Sequence, residues 1–203
     1  LINSGGIIDL SFLDSYENIS GVVLISQPGM ETGTAVASIF TGEVTPSGKL
    51  TDTWAYNYED YPNSKTFSHN NGNVNTEKYE EGIYVGYRYF DTFQVPVRYP
   101  FGYGLSYTDF SLSVKDICKV SDSAFCVTAV VTNTGNAYSG REVVQVYVSC
   151  PQELMEKEYR RLAGFAKTKL LAPGESEELT IEIPLYALAS FCVKTPGWVL
   201  EKG

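Results

Sequence analysis

The sequence predicts an α/β unit joined through an aromatic segment to an all-β sandwich. Three observations predict it. Strand and helix patterns alternate near the start around a continuous apolar run, a glycine-rich window in the middle is crowded with rings, and the second half alternates apolar and polar residues with period two. With 203 residues, 43% hydrophobic and 13% aromatic, the chain has room for one large or two small domains with a real core.

The α/β reading starts at Leu1-Ile2-Asn3, which looks like a strand end. Gly5-Gly6 makes a turn, and Ile8, Phe12, Leu13 and Tyr16 have helical spacing. Val22-Val23-Leu24-Ile25 is apolar without alternation, which suits a parallel strand buried on both faces. After Gln27-Pro28-Gly29-Met30, the small-residue stretch 33–41 reads as a helix that Gly42 is placed to end. In such a sheet, ligands meet the loops after the strands, here 3–6 and 27–31. Residues 57–75 are polar and Asn-rich and read as a long surface excursion.

Between Tyr79 and Phe110 stand 11 of the chain's 27 aromatic residues, interleaved with Gly and Pro, so this window is neither a simple helix nor a simple strand. Such rings can stack on sugars or hold domains together, and the second use is the commoner one. From residue 110 the pattern changes. Phe110, Leu112 and Val114 oppose Ser111, Ser113 and Lys115. Phe125, Val127, Ala129 and Val131 oppose Thr128 and Thr132. Val144, Val146 and Val148 follow, and Leu179, Ile181 and Ile183 oppose Glu178, Thr180 and Glu182. Turn signals at 133–136 and 172–175 separate these runs, and the whole reads as an antiparallel sandwich.

Charge and composition exclude several functions. The net charge is −9, and residues 1–109 hold 13 acidic against 5 basic residues, which argues against nucleic acid as a partner. No run of about 18 apolar residues marks a membrane-spanning helix. The start has neither a basic leader nor a Met and reads as a cut from something longer. The sequon Asn18-Ile19-Ser20 is too common to fix a compartment. Cys118, Cys126, Cys150 and Cys192 show no Cys-x-x-Cys spacing and are read as reduced thiols, with a cytoplasmic location favoured over a secreted one. No metal site and no cofactor are expected.

Candidate catalytic residues are few. His69, the single histidine, lies in a polar stretch and reads as a solvated loop residue rather than a triad base. The run 42–49 fails as a phosphate loop, because five residues separate Gly42 from Gly48 and Leu50 stands where a hydroxyl is needed. Asp9, Glu31, Glu59-Asp60 and Glu80-Glu81 supply carboxylates, and a retaining glycosidase needs two about 5–5.5 Å apart. Glu31 follows a strand and precedes a helix, where the helix N-terminus favours an anion.

Several word-like segments carry a family likeness. Gly29-Met30-Glu31-Thr32-Gly33-x-Ala35 with Pro46-Ser47-Gly48-Lys49-Leu50-x-x-Thr53-Trp54 resembles the C-terminal domain of glycoside hydrolase family 3. Segments 81–89 and 99–108 are similar to that family's connector, and Val131–Gly135, Gly140–Val148, Leu162–Phe165 and Pro173–Ser176 resemble its fibronectin type III-like domain. The resemblance implies a C-terminal part of an α/β sandwich domain over 1–78, an aromatic connector over 79–109, and over 110–203 a fibronectin type III-like (immunoglobulin-like) β-sandwich lacking its last strand. It further implies a retaining β-glucosidase acting on terminal β-D-glucosyl residues, with an aspartate nucleophile on a (β/α)8 barrel and a glutamate acid/base upstream of this part. No barrel is present here, so no catalytic residue is carried onto this chain, which is expected to be structural and inactive alone. The partners implied are the barrel, the rest of the α/β domain and a β-glucoside substrate. The wording at 8–13 and 26–30 looks most like members with permuted domain order. A carbohydrate-binding or adhesion module built on the aromatic segment is the rival reading.

Overall fold

A computed structural model describes residues 1–202. The chain forms two compact units, one from Leu1–Thr41 and Leu50–Tyr103, the other from Gly42–Lys49 and Gly104 onward.

In the first unit, Ile2 and Leu24 form a parallel bridge: Ile2 N–H donates to the Val23 carbonyl at 2.8 Å and Ile25 N–H to the Ile2 carbonyl at 2.9 Å. The expected both-face burial of Val22–Ile25 is not realised. Val22 is 38% exposed and its three successors only half-buried, because among the described residues Ile2 alone flanks the run, and a strand loses water on both faces only under covering layers. The helix expected from Ile8 is a 3-10 turn, Ser11–Ser15, with no buried residue. Asp9 accepts the Ser11 N–H at 2.7 Å, and without an apolar face packed against a neighbour so short a segment gains too little to extend into an α-helix.

Helix α1, Thr32–Phe40, ends where expected: Thr41 N–H bonds the Ala37 carbonyl, and Gly42 follows at φ 76°, the left-handed region open to glycine. The 57–75 excursion holds two further 3-10 turns, Tyr58–Asp60 and Phe67–His69. Strand β1, Trp54–Ala55, pairs antiparallel with β2, Val97–Tyr99, and Trp54 is buried opposite Tyr99. The aromatic window therefore contains regular structure: α2, Tyr87–Phe93, and β2. Gly86 at φ 57° and Gln94 at φ 53° bound the helix, and its Phe90 is buried edge-on to Tyr61, ring centroids 5.5 Å apart.

The second unit is a sandwich. Strands β3 (Phe110–Ser121), β4 (Ala124–Asn133) and β7 (Ser176–Pro184) form one antiparallel sheet in the order β3-β4-β7. Strands β5 (Val143–Val148) and β6 (Arg161–Lys167) form the facing pair, and β8 (Ser190–Cys192) and β9 (Gly197–Val199) a separate hairpin. Ala129, Val131, Val144, Leu171 and Ile181 make the buried core, with Phe110, Val146, Ala166 and Leu179 packed against it. The outer face is polar: Thr128 and Thr180 hydroxyls meet at 3.2 Å and those of Thr132 and Ser176 at 2.7 Å.

The core side of the sandwich is unevenly covered, and one expectation, that of the cysteines, is corrected. Leu112 and Val114 face the core side, in register with Val131 and Ala129, yet are 57% and 63% exposed, because the two-stranded sheet opposite does not reach over β3. Cys118 and Cys126 are not reduced thiols but a disulfide, since the register places them directly across β3 and β4, Cα atoms 5.2 Å apart. Cys150 and Cys192 are free.

Candidate functional site

The carboxylates singled out in the sequence stand on separate local tasks. Glu31 occupies the N-cap position of α1, and its Oε2 accepts the Thr34 hydroxyl at 3.0 Å. Asp60 closes its 3-10 turn by accepting the Asn57 N–H at 2.9 Å. The Ser11 N–H holds the Asp9 carboxyl below the usual carboxylate range, as hydrogen bonding to an ionised group does. Glu80 is exposed in the irregular stretch before α2. Its neighbour Glu81 is half-buried, with one carboxylate oxygen that no hydrogen bond reaches.

His69 sits at φ 64°, its Nδ1 2.7 Å from the Asn73 carbonyl and 3.5 Å from a Glu77 carboxylate oxygen. A carbonyl only accepts, so Nδ1 carries the proton toward it, and His69 pins its own loop. Lys49, from the run rejected as a phosphate loop, donates to the Gly104 carbonyl at 2.8 Å and pairs with Glu142 at 2.9 Å. Among the described residues no group of three or more His, Cys, Asp or Glu is arranged to hold a metal ion, and no helix is long and apolar enough to cross a membrane.

What the fold brings together instead is Asp14, Arg98 and Tyr56. Arg98 grips Asp14 with both guanidinium nitrogens, at 2.9 and 2.5 Å, and lies over the Tyr56 ring at 5.2 Å. The Arg98 contact holds the Asp14 carboxyl below its ordinary range. An arginine that never deprotonates and an aspartate held ionised cannot exchange a proton, so the triad is a clamp between the Ser11–Ser15 turn and β2. Sequence reasoning missed it, because residues 14, 56 and 98 are joined only by the pairing of distant segments.

The aromatic window turns its rings on one another. Tyr84 and Tyr89 contact Phe93 at 4.8 and 5.1 Å, Tyr87 contacts Phe101 at 4.9 Å, and Tyr99 stacks on Tyr103 at 5.1 Å with planes 29° apart. These pairs lie within the first unit and join α2 to the segments beside it.

Comparison with known proteins completes the description. Residues 1–87 match the Glycosyl hydrolase family 3 C-terminal domain and residues 142–203 the Fibronectin type III-like domain. The chain is 47% identical over 192 residues to a beta-glucosidase of Ruminococcus albus, covering 94% of this chain and 19% of that protein. It is 43% identical over 224 residues to beta-glucosidase A of Butyrivibrio fibrisolvens, covering all of this chain and 26% of that one. Among solved structures, a beta-glucosidase from Paenibacillus barengoltzii superposes with a TM-score of 0.86 at 45% identity, over 93% of this chain and 21% of its own. The chain thus spans about a fifth to a quarter of the length of the relatives it matches.

Proposed function

The chain belongs to glycosyl hydrolase family 3, and from that premise we propose that it works as the non-catalytic bracing part of a retaining β-glucosidase that removes terminal β-D-glucosyl residues. The observation that carries this reading is the coverage: 94% or more of the chain aligns with β-glucosidases, yet it makes up only 19% and 26% of their length. The (β/α)8 barrel with its aspartate nucleophile, and the stretch bearing the glutamate acid/base, belong to the remainder of that enzyme. The local engagement of Asp9, Asp14, Glu31 and Asp60 supports the same reading, since each is held by a hydrogen bond from a neighbouring donor.

In this reading residues 1–78 complete the α/β domain, 79–109 connect, and 110–203 brace. The test is an aryl β-glucoside assay on the purified chain and on the full-length protein. The full-length protein should turn over substrate with retention of anomeric configuration, followed by NMR, and the isolated chain should show only the uncatalysed rate. Turnover by the isolated chain that survives purification overturns the proposal.

A further inference from the structure

The first unit is interrupted in sequence. Residues 42–49 lie between its two pieces, Leu1–Thr41 and Leu50–Tyr103, yet pack as part of the sandwich unit. The segment is irregular and has no helix or strand of its own. Side chains of the sandwich give it its course. Lys167 of β6 donates to the Ser47 carbonyl at 2.9 Å, and Glu142 pairs with the Lys49 ammonium at 2.9 Å. Glu142 is itself fixed: its carboxylate accepts the Val143 N–H at 2.6 Å, and its own N–H donates to the buried Thr168 hydroxyl at 3.0 Å. The Lys49 and Glu142 side chains are 18% and 24% exposed, so salt screens this pair less than a fully exposed one. Close packing adds to the charges. A Cβ on Gly140 would lie 3.5 Å from the Thr45 methyl, and one on Gly42 3.5 Å from the Tyr138 ring.

Both ends of the segment run directly into hydrogen bonds of the first unit. On one side, Thr41 N–H donates to the Ala37 carbonyl at 2.9 Å and closes α1. On the other, Leu50 N–H donates to the Tyr103 carbonyl and Gly102 N–H to the Leu50 carbonyl, each at 2.8 Å. Next along the same two passages, Lys49 donates to the Gly104 carbonyl at 2.8 Å, and Gly104 leaves no space for a Cβ beside the Gly48 carbonyl. We propose that segment 42–49 is a strap by which the sandwich holds the first unit in its folded form, fastened by the Lys49–Glu142 and Lys167–Ser47 contacts. An irregular segment keeps one path only while something fixes it. Freeing the strap therefore lets the end of α1 and the pairing of Leu50 with Gly102 and Tyr103 open locally. The inference rests on the bracing reading above and deepens it, by naming where the brace takes hold.

The test is amide hydrogen exchange on the full-length protein, resolved by residue with fragmentation mass spectrometry. Lys49→Met removes the ammonium and keeps the stem. Glu142→Gln removes the charge from the sandwich side and serves if the first variant folds poorly. The proposal expects Thr41, Leu50 and Gly102 to exchange at least tenfold faster in either variant, with Ala129 and Val131 of β4 unchanged. Lys115→Met, which breaks the exposed Lys115–Glu178 pair, is the control. Unchanged exchange at 41, 50 and 102 overturns the proposal. So does equal loosening in Lys115→Met, or loosening that extends to Ala129 and Val131, because the loss is then one of overall stability. Exchange is read without substrate, so these outcomes stand whether or not the protein cleaves β-glucosides, and the two readings can fail separately.

Discussion

The side-chain amide of Asn133 donates to the carbonyl of Leu171 at 2.9 Å, and both residues are fully buried. The same amide donates to the Tyr138 carbonyl at 2.9 Å, while its oxygen accepts the Thr108 hydroxyl at 2.6 Å and the Gly135 N–H at 3.1 Å. One side chain therefore ties the end of β4 to three loops. Asn133→Ala orphans the Tyr138 carbonyl, the Thr108 hydroxyl and the Gly135 amide, each worth about 1–3 kcal/mol when buried without a partner. We expect a loss of about 3 kcal/mol or more in urea unfolding with an unchanged slope, and a smaller loss, about 1 kcal/mol, for Thr108→Val.

Lys157 and Glu201 form an ion pair whose side chains are 2% and 3% exposed. The Glu201 carboxylate also accepts the backbone N–H of Glu153 at 2.9 Å and of Leu154 at 3.2 Å, so it fastens the residues after β9 to the loop before β6. Hydrogen bonding from Lys157 holds the Glu201 carboxyl below its ordinary range. A depressed carboxylate pKa stabilises the fold above the unfolded value of about 4.3, and that stability is lost as pH falls through the lower folded value. Glu201→Gln should lower Tm at pH 7 and flatten the acid limb of the Tm–pH curve below about pH 4.3. An acid limb identical in wild type and variant would remove this group from the account.

The cysteines should sort into three kinds. Without reductant, alkylation should modify Cys150 and Cys192 and leave Cys118 and Cys126 unlabelled. Cys192 should react with the lower pH threshold, because the Thr195 contact draws its pKa down, and Thr195→Val should raise that threshold. Reduction of the Cys118–Cys126 bond reopens a link of sequence separation 8, expected to cost about 2 kcal/mol, read as a lower Tm in reductant that Cys118→Ser reproduces.

Gly104 has no room for a side chain. A Cβ there would lie 2.3 Å from the Gly48 carbonyl oxygen, a backbone atom that cannot swing aside. Gly104→Ala should cost about 1–3 kcal/mol in equilibrium unfolding, with Gly6→Ala, whose Cβ meets nothing, as the neutral control.

What could be read in the sequence was what is written locally. The end of α1 at Gly42 needs a residue tolerant of positive φ, and the alternation of Leu179, Ile181 and Ile183 with charged and hydroxyl residues follows from the two-residue pleat. The family words placed the chain. The clamp of Asp14, Arg98 and Tyr56 could not be read, nor could the Cys118–Cys126 pairing, because each depends on which distant residues meet.

The sequence by itself determined the α/β-then-β order of the chain, the faces of its strands and its family, because periodicity and turn chemistry are properties of neighbouring residues. Only the tertiary structure decided which faces lose water. Val131 and Leu112 stand opposite each other in one sheet, equally apolar and on the same side, yet one is buried and the other 57% exposed. Burial is conferred by what packs above a residue, and here Val144 of β5 packs with Val131 of β4 while no described strand lies over Leu112 of β3.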